Sequence, residues 1–156
     1  MKKAFLVPLF IILSLIGVGA GYFTLIHFVI GDLGDVRVNL VNVTVSRVEL
    51  DHAVITVTIE LVNPAKREVK IDVMSVSLYA GSYYIGDVKK KNVTVRPNGK
   101  VFIKLDFPVY YSSTDPELIR VIVKNKTLDI KWRISGKLGI NTSVGEIGKS
   151  FNITLS

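Results

Sequence analysis

The sequence predicts an all-β protein with one short helix: an antiparallel β-sandwich of about seven strands, preceded by one N-terminal transmembrane helix. Three observations predict it. Residues 4–30 carry no charged side chain. Beyond residue 35, apolar residues recur at every second position in run after run, which is the period of half-buried strands. Gly, Pro, Asn and Asp punctuate those runs at short intervals, as turns do in a sandwich. At 156 residues the chain is long enough for one domain with a substantial core, since a domain of that size buries roughly 70% of its unfolded surface.

The apolar run, AFLVPLFIILSLIGVGAGYFTLIHFVI, holds His27 as its one ionisable group. A bilayer core needs about 20 apolar residues, so this run spans it with residues to spare. Lys2 and Lys3 precede the run and Asp32 and Asp35 follow it, which favours a cytoplasmic N-terminus and an extracellular C-terminal domain. The rival reading is a cleaved signal peptide, because Val18-Gly19-Ala20 offers the small residues of a cleavage site. Signal-peptide apolar cores run about 7–15 residues, and this one continues through Phe28, so an uncleaved anchor is preferred. Gly17 and Gly21 form a Gly-x-x-x-Gly that would let a neighbouring helix pack closely. Glycine is also common in membrane helices generally, and that plainer reading is favoured. The expected organisation is an anchor over residues 1–30, a short linker over 31–35 and an exported sandwich over 36–156.

The strands follow in order. Val36, Val38 and Leu40 alternate with polar residues, then the phase slips and Val41, Val43 and Val45 alternate; a slip of one residue reads as a bulge or a change of sheet. After Asp51-His52, Ala53, Ile55, Val57, Ile59 and Leu61 form a second strand, stopped at Asn63-Pro64, because proline lacks a backbone donor for the ladder while it holds its predecessor extended, and so turns the chain. The third strand has Val69, Ile71 and Val73 on one phase and Met74, Val76 and Leu78 on the other. Ala80-Gly81-Ser82 is a hairpin turn, followed by a short return over 83–86. VKKKNVTV then leads to the turn Pro97-Asn98-Gly99, and Val101, Ile103, Leu105, Phe107 and Val109 alternate cleanly. Thr114-Asp115-Pro116-Glu117 reads as a helix start, with Leu118, Ile119, Val121 and Ile122 as its apolar face. Leu128, Ile130, Trp132 and Ile134 form a further strand, with Trp132 in phase with the core. Phe151, Ile153 and Leu155 form the last.

Asn63-Pro64 after a long alternating strand, then VSLYAGSYYIG, then a turn and a second long alternating strand, resembles the late embryogenesis abundant type-two family, also called the water stress and hypersensitive response domain. The resemblance runs from about Asp35 to Ser156 and departs from the usual pattern at Ala65, where members often carry a second Asn. It implies an immunoglobulin-like or fibronectin-like sandwich without catalytic residues, associated with desiccation or stress tolerance, here as a membrane-anchored archaeal-type member. Asn63 and Pro64 are the family motif, read first as a strand-ending turn.

The residues themselves offer little chemistry. The chain has no cysteine, which removes disulfides and thiolate sites. It has one histidine outside the apolar run, so neither a histidine metal cluster nor a Cys–His pair can form. No catalytic, cofactor or metal residue is assigned. Glu49, Asp51 and His52 are better read as a solvated hairpin tip than as a site. The charge of +7 is spread along the chain, with Lys89, Lys90 and Lys91 its one dense run, best read as a solvated face or a blunted strand edge; no nucleic-acid stripe is expected. Tyr79, Tyr83, Tyr84, Tyr110 and Tyr111 could form a sticky surface, though cross-strand packing is the preferred reading. The glycines of GEIG read as turn residues.

One pattern exceeds chance. Asn-x-Ser/Thr occurs at Asn42, Asn92, Asn125, Asn141 and Asn152, five of eight asparagines, where ordinary Ser and Thr usage gives about one. These are candidate glycosylation sites on an exported domain. The expected role is a non-enzymatic stress- or desiccation-protection module on the outer face of the cytoplasmic membrane, with the membrane as its partner through a single span and no defined small-molecule ligand. The alternative is a structural subunit of a surface assembly, bound through the transmembrane helix or a sheet edge.

Overall fold

A computed structural model of the chain describes residues 36–124, 130–142 and 145–155. The expected anchor with Gly17 and Gly21, the linker over 31–35 and Asn125 lie outside the described residues. The strands are β1 (Arg37–Val48), β2 (His52–Asn63), β3 (Val69–Ala80), β4 (Tyr83–Val95), β5 (Gly99–Tyr110), β6 (Trp132–Thr142) and β7 (Gly145–Thr154), with a 3-10 turn at Tyr111–Ser113 and helix α1 (Pro116–Val123) between β5 and β6. They pair in two antiparallel sheets, β1-β2-β5 and β4-β3-β6-β7. This is the seven-stranded sandwich with one short helix that the sequence predicts.

Alternation decides which side of each strand is covered. On β2, Ala53, Ile55, Val57, Ile59 and Leu61 are buried while Val54, Thr56, Thr58 and Glu60 are only partly covered. Opposite them on β5 stand Val109, Phe107, Leu105 and Ile103, also buried. The other sheet contributes Met74, Val76 and Leu78 from β3 and Ile134, Leu138 and Ile140 from β6. Each such aliphatic side chain contributes about 1.5–3 kcal/mol of transfer free energy, so these inner faces hold the sheets together.

Both phase slips are real, and each preserves the core. In β1 the register shifts between Leu40 and Asn42 and again between Val45 and Arg47. Val41 is the extra residue at the first shift and is 46% exposed, not inward with Val43 and Val45 as the alternation suggests. In β3 the register against β6 shifts between Ile71 and Val73. Ile71 and Met74 are both buried, while Val73 is half-buried, so the slip falls one residue earlier than the sequence phase implies. Beside it, Asn92 of β4 adopts φ +56°, the left-handed region that Asn tolerates better than most residues.

Two local expectations are corrected, and the expected helix start gains its cap. The return after the hairpin and VKKKNVTV form one continuous strand, β4, paired along β3 from Val69 to Ala80. GEIG is not a turn but the start of β7, where Ile147 pairs with Ile140 and Gly148 with Gly139; pairing with β6 outweighs glycine's weak strand propensity. The helix cap is Asp115, whose carboxylate accepts from the Glu117 and Leu118 N–H groups at 2.9 and 3.4 Å, while the Thr114 hydroxyl donates to the Tyr110 carbonyl at 2.8 Å. Leu118 and Ile122 are the buried residues of α1, so burial rather than propensity holds a helix this short and this rich in β-branched residues.

Trp132 opens β6 and is 1% exposed, in phase with Ile134 as expected. Trp132→Ala should therefore cost about 3–5 kcal/mol in denaturant unfolding of residues 32–156, as aromatic truncations in packed cores do. A loss under about 1 kcal/mol, the range of surface changes, would remove it from the core.

Candidate functional site

Asn63 is the last residue of β2 and the one fully buried polar side chain among the described residues. It sits inward because the alternation that buries Ile59 and Leu61 continues into it. Its amide nitrogen donates to the carbonyls of Arg67 at 2.8 Å, Arg96 at 3.1 Å and Val95 at 3.2 Å, two protons shared among three acceptors. Its Oδ1 accepts the Ala65 N–H at 3.0 Å. The Asn98 N–H then donates to the Ala65 carbonyl at 2.9 Å, and the Gly99 N–H closes the turn on Arg96 at 3.1 Å. One side chain thus joins the loop after β2 to the turn between β4 and β5. Ala65 takes part through its backbone, so the family's second Asn is not needed for either bond. Pro64 is exposed and ends the ladder, as the sequence predicts.

The candidate glycosylation sites fall on exposed positions wherever they are described. Asn42 lies on β1, Asn92 on β4, Asn141 on β6 and Asn152 on β7; all four are exposed, and so are Thr44, Thr94 and Thr154. A strand's period of two places Asn42, Asn92 and Asn152 on the same outward side as their hydroxyl partners Thr44, Thr94 and Thr154. Asn42, Asn92 and Asn152 stand on edge strands.

The tyrosines divide between the two readings. Tyr79 packs edge-on against Tyr84 at 5.6 Å and lies beneath the Arg133 guanidinium at 4.2 Å, which is cross-strand packing. Tyr83, Tyr84 and Tyr110 nevertheless remain about half exposed. They line an open recess of about 310 Å³ with Pro108 and Leu118, and a neighbouring recess of about 300 Å³ runs from Tyr83 to Val121 and Ile130. Tyr111 instead donates its hydroxyl to the Glu49 carbonyl at 3.2 Å. His52 Nδ1 sits 2.7 Å from Asp51 Oδ1 and its ring 5.5 Å from that of Tyr110, which makes this the solvated hairpin tip expected. Among the described residues there is no group of three or more His, Cys, Asp and Glu that could hold a metal, and no helix is long and apolar enough to cross a membrane.

Among the described residues, perturbed titrations are confined to surface hydrogen bonds. His52 holds the Asp51 carboxyl below its usual range. Asn39, with Lys100, does the same for Glu60, and Ser77, with Tyr84, for Asp87. The bond to Asp87 in turn raises the Tyr84 phenol. None of these groups is desolvated in a cleft, the setting in which acid–base chemistry is tuned.

Sequence reasoning placed Lys90 in a blunted strand edge, where it stands exposed on β4, and missed Lys149, half-buried on β7. Lys90 of β4 stands opposite buried Met74, and Lys149 of β7 opposite buried Leu138. Lys149 reaches out to donate to the Val36 carbonyl at 2.6 Å. Its polar interruption of an apolar phase was the available signal.

No family model matches the chain, and no curated protein matches it. Solved structures do. An Arabidopsis thaliana protein determined in solution is similar with a TM-score of 0.53 and 16% identity, over 76% of this chain and 80% of that one. The chain therefore shares that protein's fold. A candidate late embryogenesis abundant protein, also determined in solution, gives a TM-score of 0.48 and 16% identity over 93% of this chain and 83% of that one. A Bacteroides uniformis β-glucuronidase gives 0.44 and 14%, over 78% of this chain but 13% of the enzyme, a match to one of its domains.

Asn63→Ala should cost about 3 kcal/mol, because it takes the side-chain partner from the buried Val95 carbonyl and the buried Ala65 N–H. Asn63→Asp should cost more at neutral pH, since it turns a carboxylate toward three carbonyl oxygens. Pro64→Ala should cost under about 1 kcal/mol. Chemical denaturation of the three variants checks the order; Pro64→Ala as the most damaging would return the motif to a simple turn.

Proposed function

We propose that the chain is a non-enzymatic, membrane-anchored β-sandwich, displayed outside the cytoplasmic membrane by residues 1–30, and that it works as a stress- or desiccation-protection-type binding module of the late embryogenesis abundant type. The observation that carries this reading is the treatment of the sheet edges. Exposed strand edges recruit other strands unless something blunts them, and inward-pointing lysines, prolines and bulges are recognised devices. Half-buried Lys149 provides the first on β7, the exposed Lys89–Lys91 run adds charge along β4, Pro108 provides the second on β5, and the two register shifts of β1 the third. Glycans on Asn42, Asn92 and Asn152 would add to them. A domain built this way makes transient surface contacts and avoids a fixed strand partner. The archaeal-type membership belongs to the same proposal and rests on the sequence resemblance.

The second reading, a structural subunit of a surface assembly, draws on half-exposed Tyr83, Tyr84 and Tyr110 beside α1, since tyrosine is enriched where proteins meet. Sedimentation of residues 32–156 separates the two. A monomer at micromolar concentration is expected, and a stable oligomer or a tight, salt-insensitive complex would promote the subunit reading. The topology has its own test. With no native cysteine, Asn98→Cys should react with an impermeant reagent on intact cells and Lys2→Cys only after lysis. Mass spectrometry of the native protein should find glycan on one or more of the five asparagines in a host that glycosylates its surface. Protection of position 98 on intact cells would overturn the extracellular placement.

A further inference from the structure

The start of β4, the end of β5 and the approach to α1 meet around one open recess of about 310 Å³, whose lining includes Tyr83, Tyr84, Tyr110, Pro108, Leu118 and Asp115. Tyr83 and Tyr84 are neighbours and would point to opposite sides of a regular strand. The register against β3 slips at Ile85, however, so that Leu78 faces Gly86 while Tyr79 faces Tyr84. A bulge of this kind re-aims side chains, and both tyrosines reach the recess. Tyr110 closes β5 beside them, and all three are about half exposed.

The hydrogen bonds around the recess consume donors and leave acceptors. Ser113 and Thr114 also line it, and both hydroxyls donate to the Tyr110 carbonyl, at 3.3 and 2.8 Å. Tyr84 donates to Asp87. Asp115 caps α1 by accepting two N–H groups on Oδ1, about half of what a carboxylate can accept. Among the described residues no Lys, Arg or His lines this recess, although the chain carries a net charge of +7. The basic groups around it are engaged elsewhere: Arg133 lies 4.2 Å from the Tyr79 ring, Arg120 stands 3.5 Å from Glu117, and Lys131 lines the adjoining recess together with Glu117. His52, 5.5 Å from the Tyr110 ring, keeps its Nδ1 on Asp51. The N-terminus of α1 adds at most about half a positive charge, less than the full negative charge of Asp115.

From this arrangement we propose that the recess binds a quaternary ammonium group, such as the trimethylammonium head of choline. The face of a tyrosine ring attracts a cation, and several rings around one site are how quaternary ammonium ligands are recognised. A trimethylated nitrogen has no N–H to satisfy and presents apolar methyl groups, so it suits a lining of rings, Pro108 and Leu118. A primary ammonium brings three donors and strong hydration, which such a lining replaces poorly. The site does not depend on the anchoring proposed above.

The test follows the tyrosine resonances of the full chain in a non-ionic detergent by NMR. The titrants are choline and its neutral carbon isostere, in which a tert-butyl group replaces the trimethylammonium. Tyr83, Tyr84 and Tyr110 should shift with millimolar choline, and Tyr111, whose hydroxyl is held on the Glu49 carbonyl, should not. The isostere should bind at least about tenfold more weakly. Tyr83→Leu and Tyr110→Leu should each weaken choline about fivefold. Asp115→Asn keeps a good helix cap; it should weaken choline at least about fivefold and leave the isostere unchanged. Glycerophosphocholine distinguishes two sources of the same group: binding as tight as that of choline assigns the site to a phosphatidylcholine headgroup, and weaker binding assigns it to a free cation. The absence of shifts, equal binding of choline and its isostere, or choline binding unchanged in Asp115→Asn and in both leucine variants overturns the site.

Discussion

The amide of Asn63 is the constraint on which one whole end of the sandwich depends. The ladder of β2 carries its side chain into the interior, where the carbonyls of Arg67, Val95 and Arg96 already point. Buried backbone groups must find partners, and no apolar side chain could serve them. In a low-dielectric interior these bonds are strong and their loss is costly. A single residue therefore sets the separation between the loop after β2 and the turn before β5, and with it the display of Lys66 and Arg96. The motif that looks like a stop signal is a clamp whose second residue, Pro64, does the stopping.

A second constraint comes from the open edges. Sheets of three and four strands leave β1, β5, β4 and β7 with unpaired backbone groups, and a fully apolar inner phase on those strands would invite further pairing. The chain gives up some burial there. Ile147, Phe151 and Ile153 of β7 are only half-buried, and Lys149 takes a place opposite Leu138 that an aliphatic side chain would fill. Its ammonium escapes to the Val36 carbonyl, as long basic side chains do when their stems lie along apolar surface. The ring of Phe151 lies over Gly136, where an added Cβ would meet the Ser75 carbonyl as well as that ring. Apolar burial is thus densest on β2, β3, β5 and β6 and sparser on β1 and β7.

This division of labour also explains why the surface holds the functional information. Among the described residues the interior is apolar apart from Asn63, and the perturbed carboxylates are held in surface hydrogen bonds. What remains to be read is the placement of charge, tyrosine and sequons over a rigid support. The geometry of those groups follows from strand register.

Much of the architecture was legible in the sequence because burial of one face imposes a period of two on each strand separately. The alternation of β2 and β5, the slips in β1 and β3, the inward phase of Trp132 and the start of α1 all follow from residues within a few positions of one another. The partners of Asn63 do not: two of its acceptors lie more than thirty residues away, and nothing local distinguishes a clamp from a turn. The unbroken course of β4 and the recruitment of GEIG into β7 depend on β3 and β6 lying alongside. Lys149 reads as an ordinary surface lysine until the strand opposite is known. Periodicity determines which face of a strand is covered; only tertiary pairing decides what covers it, because hydrogen-bond partners and edge positions are properties of neighbouring strands and not of the strand itself.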